Sequence, residues 1–301
     1  MRRLLILGAM VVVLFSAGLS LTQNQPDAQV GHKLSMPEEL CTSFPPRDEQ
    51  PGEVPVIGVS FSGSLRMPVA EQERIAAELK HLTYPEPLTG ASEELLERVR
   101  TAWQDRGFFQ VEVNGDAVLT SRGSEHGLAL SVHINEGQRY RLGGISFRHN
   151  NTLTNAEHLR SLFPIEDGDV FARAKVAEGL NNLRKAYGEY GFINYTGVAE
   201  TKIDDVSRRI SIVVDIDEGK QFNVDHIEVV GLDDAGRKAI LQESALRRGD
   251  VYNARLDELF LGRIKLHFPA CGCSQVKHNQ IDEQKGTVVL LYDLSSCAGG
   301  E

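Results

Sequence analysis

The chain has 301 residues, of which 41% are hydrophobic and 25% charged, with 28 glycines. That is the balance of a folded, water-facing protein, not of a disordered chain or a bundle of membrane helices. A net charge of −10, from 42 acidic against 32 basic residues, is the wrong sign for a nucleic-acid binder held by phosphate contacts, and four cysteines are too few for a disulfide-built scaffold.

At the N-terminus, Arg2 and Arg3 precede an apolar run from Leu4 to Phe15, followed by the small residues Ser16, Ala17, Gly18 and Ser20. A positive start, an apolar stretch and a small-residue exit are the parts of a secretory signal, here assigned to residues 1–20. The alternative is an uncleaved anchor, since Leu4–Leu21 reaches about the shortest length that crosses a bilayer. Either way the folded part is exported. Residues 21–53 hold Pro26, Pro37, Pro45, Pro46 and Pro51 without a sustained apolar period, which reads as a spacer.

From residue 54 onward the sequence repeats. Leu128, Leu130, Val132 and Ile134 alternate with polar or small residues and end in Glu136-Gly137. The pattern returns as Ile210, Ile212, Val214 and Ile216 with Glu218-Gly219, and again as Val288, Leu290, Tyr292 and Leu294. Such alternation marks a strand with one face on a core. Each copy also carries an earlier strand, begun by Val56, Tyr140 or Phe222, and two helical stretches. The second helix keeps one apolar spacing: Leu96, Val99, Trp103; Leu180, Leu183, Tyr187; Leu261, Ile264, Phe268. Those positions share a helical face that can lie across a sheet. Gly168-Asp169-Val170-Phe171 matches Gly249-Asp250-Val251-Tyr252 ahead of that helix, where the first copy has Tyr84-Pro85-Glu86-Pro87. Gly107-Phe108 and Gly191-Phe192 end the helix with a left-handed glycine cap.

The expected fold is α+β: three tandem βααββ modules, at 54–137, 138–219 and 220–297, each a three-stranded mixed sheet under two helices. This order, the Gly-Asp-Val-aromatic turn, the Tyr187-Gly188-Glu189-Tyr190-Gly191-Phe192 exit and the closing Asp217-Glu218-Gly219-Lys220-Gln221-Phe222 resemble the polypeptide-transport-associated (POTRA) modules of BamA/TamA-type outer-membrane assembly factors. The resemblance implies a periplasmic array at the outer membrane, acting by protein–protein contact, without enzymatic activity and without a cofactor. In that family a membrane β-barrel usually follows, and only seven residues remain after Leu294. The chain is therefore expected to serve a separate barrel or to work alone.

In a βααββ unit whose first strand pairs with its last, the first strand of the hairpin is an edge that can accept an extended polypeptide by β-augmentation. The candidate edges are 110–120, 195–203 and 275–281; the middle one is favoured, with Tyr195, Thr196, Val198 and Glu200 as binding residues. The expected partners are unfolded or extended polypeptide and outer-membrane β-barrel assembly subunits. A bridge is expected between Cys273 and Cys297, or Cys271 and Cys297, across the last hairpin. Two rival functions stand beside this reading. One is a scaffold tethered to the inner membrane by an uncleaved Leu4–Leu21. The other is a thiol or metal site built from Cys271, Cys273 and Cys297 with His267 or His278.

Overall fold

The computed structural model describes residues 52–123, 125–267 and 277–295. These form two compact units, one from residues 52–104 and 108–138, the other from 105–107 and 139 onward. Cys41, Cys271, Cys273 and Cys297, the N-terminal apolar run and nearly all of the spacer lie outside the described residues, so the bridge expected at Cys273 and Cys297 does too.

The first unit runs β1 (Glu53–Ser64), α1 (Val69–Lys80), β2 (Thr83–Pro85), α2 (Ala91–Gln104), β3 (Glu112–Arg122) and β4 (Glu125–Asn135). Its strand order is β2-β1-β4-β3. The first strand lies parallel to the last, with Val56 opposite Leu128, and β3–β4 is an antiparallel hairpin. Leu95, Val99 and Trp103 on α2 are buried against Leu128, Leu130 and Ile134 of β4, and Phe61 meets the Trp103 indole edge-on at 5.0 Å. Packing of this kind supplies most of a small module's stability.

The second unit holds two further copies. One is β5 (Arg141–Arg148), α3 (Ala156–Ser161), α4 (Arg173–Glu189), β6 (Thr196–Asp204) and β7 (Arg209–Asp217). The other is β8 (Asn223–Val230), α5 (Asp234–Gln242), α6 (Ala254–His267), β9 (Lys277–Asp282) and β10 (Thr287–Asp293). The sheets are ordered β5-β7-β6 and β8-β10-β9, mixed as expected. Asn155 and Asp233 cap α3 and α5 by accepting the N–H groups of His158 and Gly236. The two copies are tied together: Phe222 N–H donates to Gly191 O at 2.9 Å, and Asn253 Nδ2 to Glu189 O at 2.8 Å. A Cβ on Gly191, whose φ is +84°, would stand 2.8 Å from Val251 Cγ1, so the glycine exit also permits this close joint.

The Gly-Asp motif has a clear structural task. Gly168 N–H donates to Leu142 O and Leu142 N–H to Asp169 O, both at 2.8 Å. Gly249 and Asp250 repeat this on Val224 at 2.7 and 2.8 Å. The motif thus closes the outer margin of the first strand where that strand begins. In the first unit, Tyr84-Pro85 does the same by a different route. The residue before a proline is held extended, and β2 pairs antiparallel with β1, Val54 opposite Tyr84, adding a fourth strand to that sheet. A sequence that departs from its repeats therefore reaches the same closure.

Candidate functional site: the rim of the second sheet

With the first strand sealed where it starts, the long exposed margin of each sheet is the first strand of its hairpin: β3, β6 or β9. The three rims are not equivalent. On β3, the outward N–H of Ala117 donates to Ser92 Oγ of α2 at 3.0 Å, and Ser92 Oγ donates in turn to Asp116 Oδ1 at 2.7 Å. The helix thus occupies a main-chain donor that a guest strand needs. On β9, which has only six residues, Lys277 Nζ reaches the fully buried Asp257 of α6 at 2.6 Å. Tyr252 also donates to that carboxylate, at 2.7 Å, and Tyr292 completes the cluster. Burial and the adjacent Asp257 push both phenols far above their ordinary range.

The rim at β6 is nine residues long, contains no proline, and among the described residues receives no side-chain hydrogen bond on its main chain. The reason lies in one helix position. Ser92 stands eleven residues before Trp103; the residue eleven before Tyr187 is Val176, which is buried and has no hydroxyl to offer. Ala117 lies opposite Leu130 and Thr201 opposite Ile212, so Thr201 takes the place of Ala117 on the bare rim.

Along β6 the side chains alternate. Ala199 is buried beneath the helices, whereas Thr196, Val198, Glu200 and Lys202 are exposed on the open face, Val198 at 52%. Arg148 Nη2 of β5 spans to Glu200 at 2.9 Å and to Asp215 of β7 at 3.0 Å, and His149 Nδ1 meets Asp215 at 2.6 Å. This clasp joins all three strands, and the His149 hydrogen bond, followed by the Arg148 charge, holds the Asp215 carboxyl below the usual range. Beneath the strand, Tyr195 stacks on Tyr187 with ring centroids 4.4 Å apart. A Cβ on Gly197 would fall 2.4 Å from the Tyr195 hydroxyl, so the close approach requires glycine.

The structure brings Thr196, Val198 and Glu200 onto one exposed face but sets Tyr195 apart. Only 5% of Tyr195 is exposed, and desolvation raises its hydroxyl to about 12. It precedes β6 in the turn closed by its N–H on Phe192 O, and its ring props the strand from below. Two carboxylates escaped the sequence reading. Glu136, which ends the first alternating strand, is fully buried and accepts Trp103 Nε1 at 2.8 Å and the Met67 N–H at 3.2 Å. Asp257 sits three residues before the buried Phe260, on the apolar stripe of α6, which is the signal that marks it. Glu218 repeats the Glu136 arrangement, accepting Thr152 N–H at 2.8 Å and the Tyr187 hydroxyl at 3.1 Å. His267 pairs with Glu243, and among the described residues no group of three His, Cys, Asp or Glu side chains is placed to hold a metal.

The family model for POTRA, described as a surface antigen variable number repeat, matches residues 140–219. Residues 140–219 are a POTRA module. The fold of the other modules follows from a crystal structure of Haemophilus influenzae BamA POTRA3-5, which superposes with a TM-score of 0.60 at 19% identity over 81% of this chain and 97% of that one. A Treponema pallidum protein named for outer membrane protein assembly is 26% identical over 159 residues, 52% of this chain and 19% of the relative. The outer membrane protein assembly factor BamA of Buchnera aphidicola is 23% identical over 170 residues, 54% of this chain and 26% of the relative. The chain thus spans between about a fifth and a quarter of the length of these curated relatives.

Proposed function

We propose that this chain is an exported, periplasmic POTRA array, associated with the outer membrane, that works by β-augmentation in outer-membrane protein assembly. The signal at 1–20, the spacer at 21–53 and modules at 54–137, 138–219 and 220–297 complete that reading. Its guests are extended polypeptides or β-barrel assembly subunits, and the first rim to fill is β6. The relatives' names support the process. The bare main chain of β6, beside rims where α2 occupies a donor or the strand is short, carries the choice of module.

The rim also describes its guest. Main-chain pairing supplies affinity, while side chains on alternate sides select. A guest strand would set one row of side chains beside the buried Ala199 and the other beside exposed Val198, Glu200 and Lys202. An alternating apolar and polar segment therefore fits better than a uniformly apolar one. Glu200 is already held by Arg148, so the open face is preorganised.

A photo-crosslinking residue at Val198 in living cells should capture extended polypeptide, whereas one at the buried Ile212 should not. Recovery at Val198 no greater than at Ile212 would overturn the reading. Thr201→Pro, which deletes a rim donor while sparing the ladder to β7, should reduce capture from Val198.

A further inference from the structure

The three second helices share a buried stripe in which Val99, Leu183 and Ile264 correspond, but their solvent faces differ. Five residues before, two before and two after that point, α2 carries Glu94, Glu97 and Thr101, and α4 carries Glu178, Asn181 and Lys185. At those positions α6 carries Leu259, Gly262 and Leu266. Leu259 is 53% exposed and Leu266 is 81% exposed. The two leucines stand seven positions apart on the helix, about 10 Å along one line, pointing away from the sheet.

Charge singles out the same helices. Between the start of its first helix and the end of its second, the third module has seven basic residues against five acidic ones. The equivalent stretch has four against seven in the first module and five against six in the second. Arg255, Arg263 and Lys265 border the leucine line; Glu258 is acidic on its margin, and Glu243, at the end of α5, lies against Arg263 with its carboxylate paired to His267. On α5 and the loop after it, a recess of about 410 Å³ is lined by Arg237, Lys238, Leu241, Gln242 and Arg247, together with Asp234, which is paired to Arg237.

We infer that the helical face of the third module rests on an anionic lipid surface. Protruding leucines flanked by arginine and lysine are the side-chain pattern of a helix that lies in a headgroup layer, each basic residue adding attraction to anionic lipid. The basic recess on α5, in the same helical layer, offers a phosphate headgroup opposite charge. Protein-binding centres are commonly built around a buried aromatic anchor. The solvent side of α6 has no aromatic residue, and its leucines stand proud of the surface. Among the described residues no helix is long and apolar enough to cross a membrane, so this contact is peripheral. The inference is independent of the rim at β6, because it concerns another module and the opposite layer.

The test uses the full chain carrying Leu266→Trp; the native Trp103 is fully buried and does not report on lipid. Vesicles of phosphatidylethanolamine with phosphatidylglycerol, bearing brominated acyl chains, should quench the introduced indole. Brominated phosphatidylcholine vesicles should not. The N-terminal apolar run is present in both arms and cancels. Arg255→Gln and Lys265→Gln should each lower the docked-to-free ratio about fivefold, and Leu259→Trp should report the same docking should Leu266→Trp perturb the helix. Absence of quenching by both indole variants on anionic vesicles that have bound the chain would overturn the inference, as would equal quenching on phosphatidylcholine. Burial of the indole by a lipid-free protein fraction, without quenching on vesicles, would also overturn it and assign the face to a protein.

Discussion

In the first module, α2 reaches the hairpin with Ser92 and takes the Ala117 N–H for itself; in the second, α4 brings the buried Val176 to the same place and offers the Thr201 N–H no side-chain partner. Apart from the extra β2, the strands of the two sheets follow the same order and both starting margins are sealed, so the rims differ by one side chain on a helix. A rim is therefore opened or closed from the layer above it, without changing the strand. The third module modifies the pattern again, with Asp257 at the corresponding helix position and Lys277 drawn onto it from the rim strand.

The largest effect in this comparison belongs to the third module. Asp257→Ala leaves the Lys277 ammonium and two phenols around a missing carboxylate, and breaking such a buried pair is expected to destabilise by about 3–5 kcal/mol. Faster hydrogen exchange across β9 and β10, with the other modules unchanged, would show it. Gly197→Ala comes next. Its methyl would meet the stacked Tyr195 ring, and an overpacking penalty of about 1–3 kcal/mol is expected, read as local exchange in β6 together with weaker capture from Val198. Ser92→Val makes the first rim resemble the second. It should cost about 1 kcal/mol for the lost hydrogen bond and raise crosslinking from β3 residues Val118 or Leu119, which are already exposed. Unchanged capture there would break the claim that the hydroxyl is the guard.

The smallest effect concerns pH. The folded state depresses the Asp215 carboxyl, so the clasp's contribution is present above the ordinary carboxylate range and is lost as pH falls through the lowered value. His149→Ala removes the leading cause and should move that carboxyl back toward its ordinary value. A carbon-detected NMR titration of Asp215 measures the change directly.

Much of this was legible in the residues. The hairpins announce themselves by strict alternation, ending in Glu-Gly in the first two copies, and the helix exits by Gly107 and Gly191, whose φ values of +92° and +84° bear out the caps. The helix stripe was read one residue late. Leu95 and Phe260 are the deeply buried members where Leu96 and Leu261 were expected, and Gly179 precedes Leu180 in the same way. On a helix of 3.6 residues per turn both choices share Val99 and Trp103, and Leu96 is as apolar as Leu95, so periodicity does not separate them. Gly179 is invisible to a hydrophobic count, yet it makes room for Phe163. The buried Glu136 and Asp257 stayed hidden because a charged residue is solvated by default, and only tertiary partners reveal the exception. At the candidate site, exposed Val198 followed from alternation, whereas the buried ring of Tyr195 depends on a turn that fixes where the strand begins.

The paired Gly-Asp turns and their Tyr-Pro counterpart have one further consequence. A sheet free on both flanks can be extended from either side, and many copies could then stack into a ribbon. Fastening one flank where its strand begins leaves the hairpin flank as the side open to lateral pairing. On the proposed reading, the helix position above that flank then tunes how readily it accepts a passing chain.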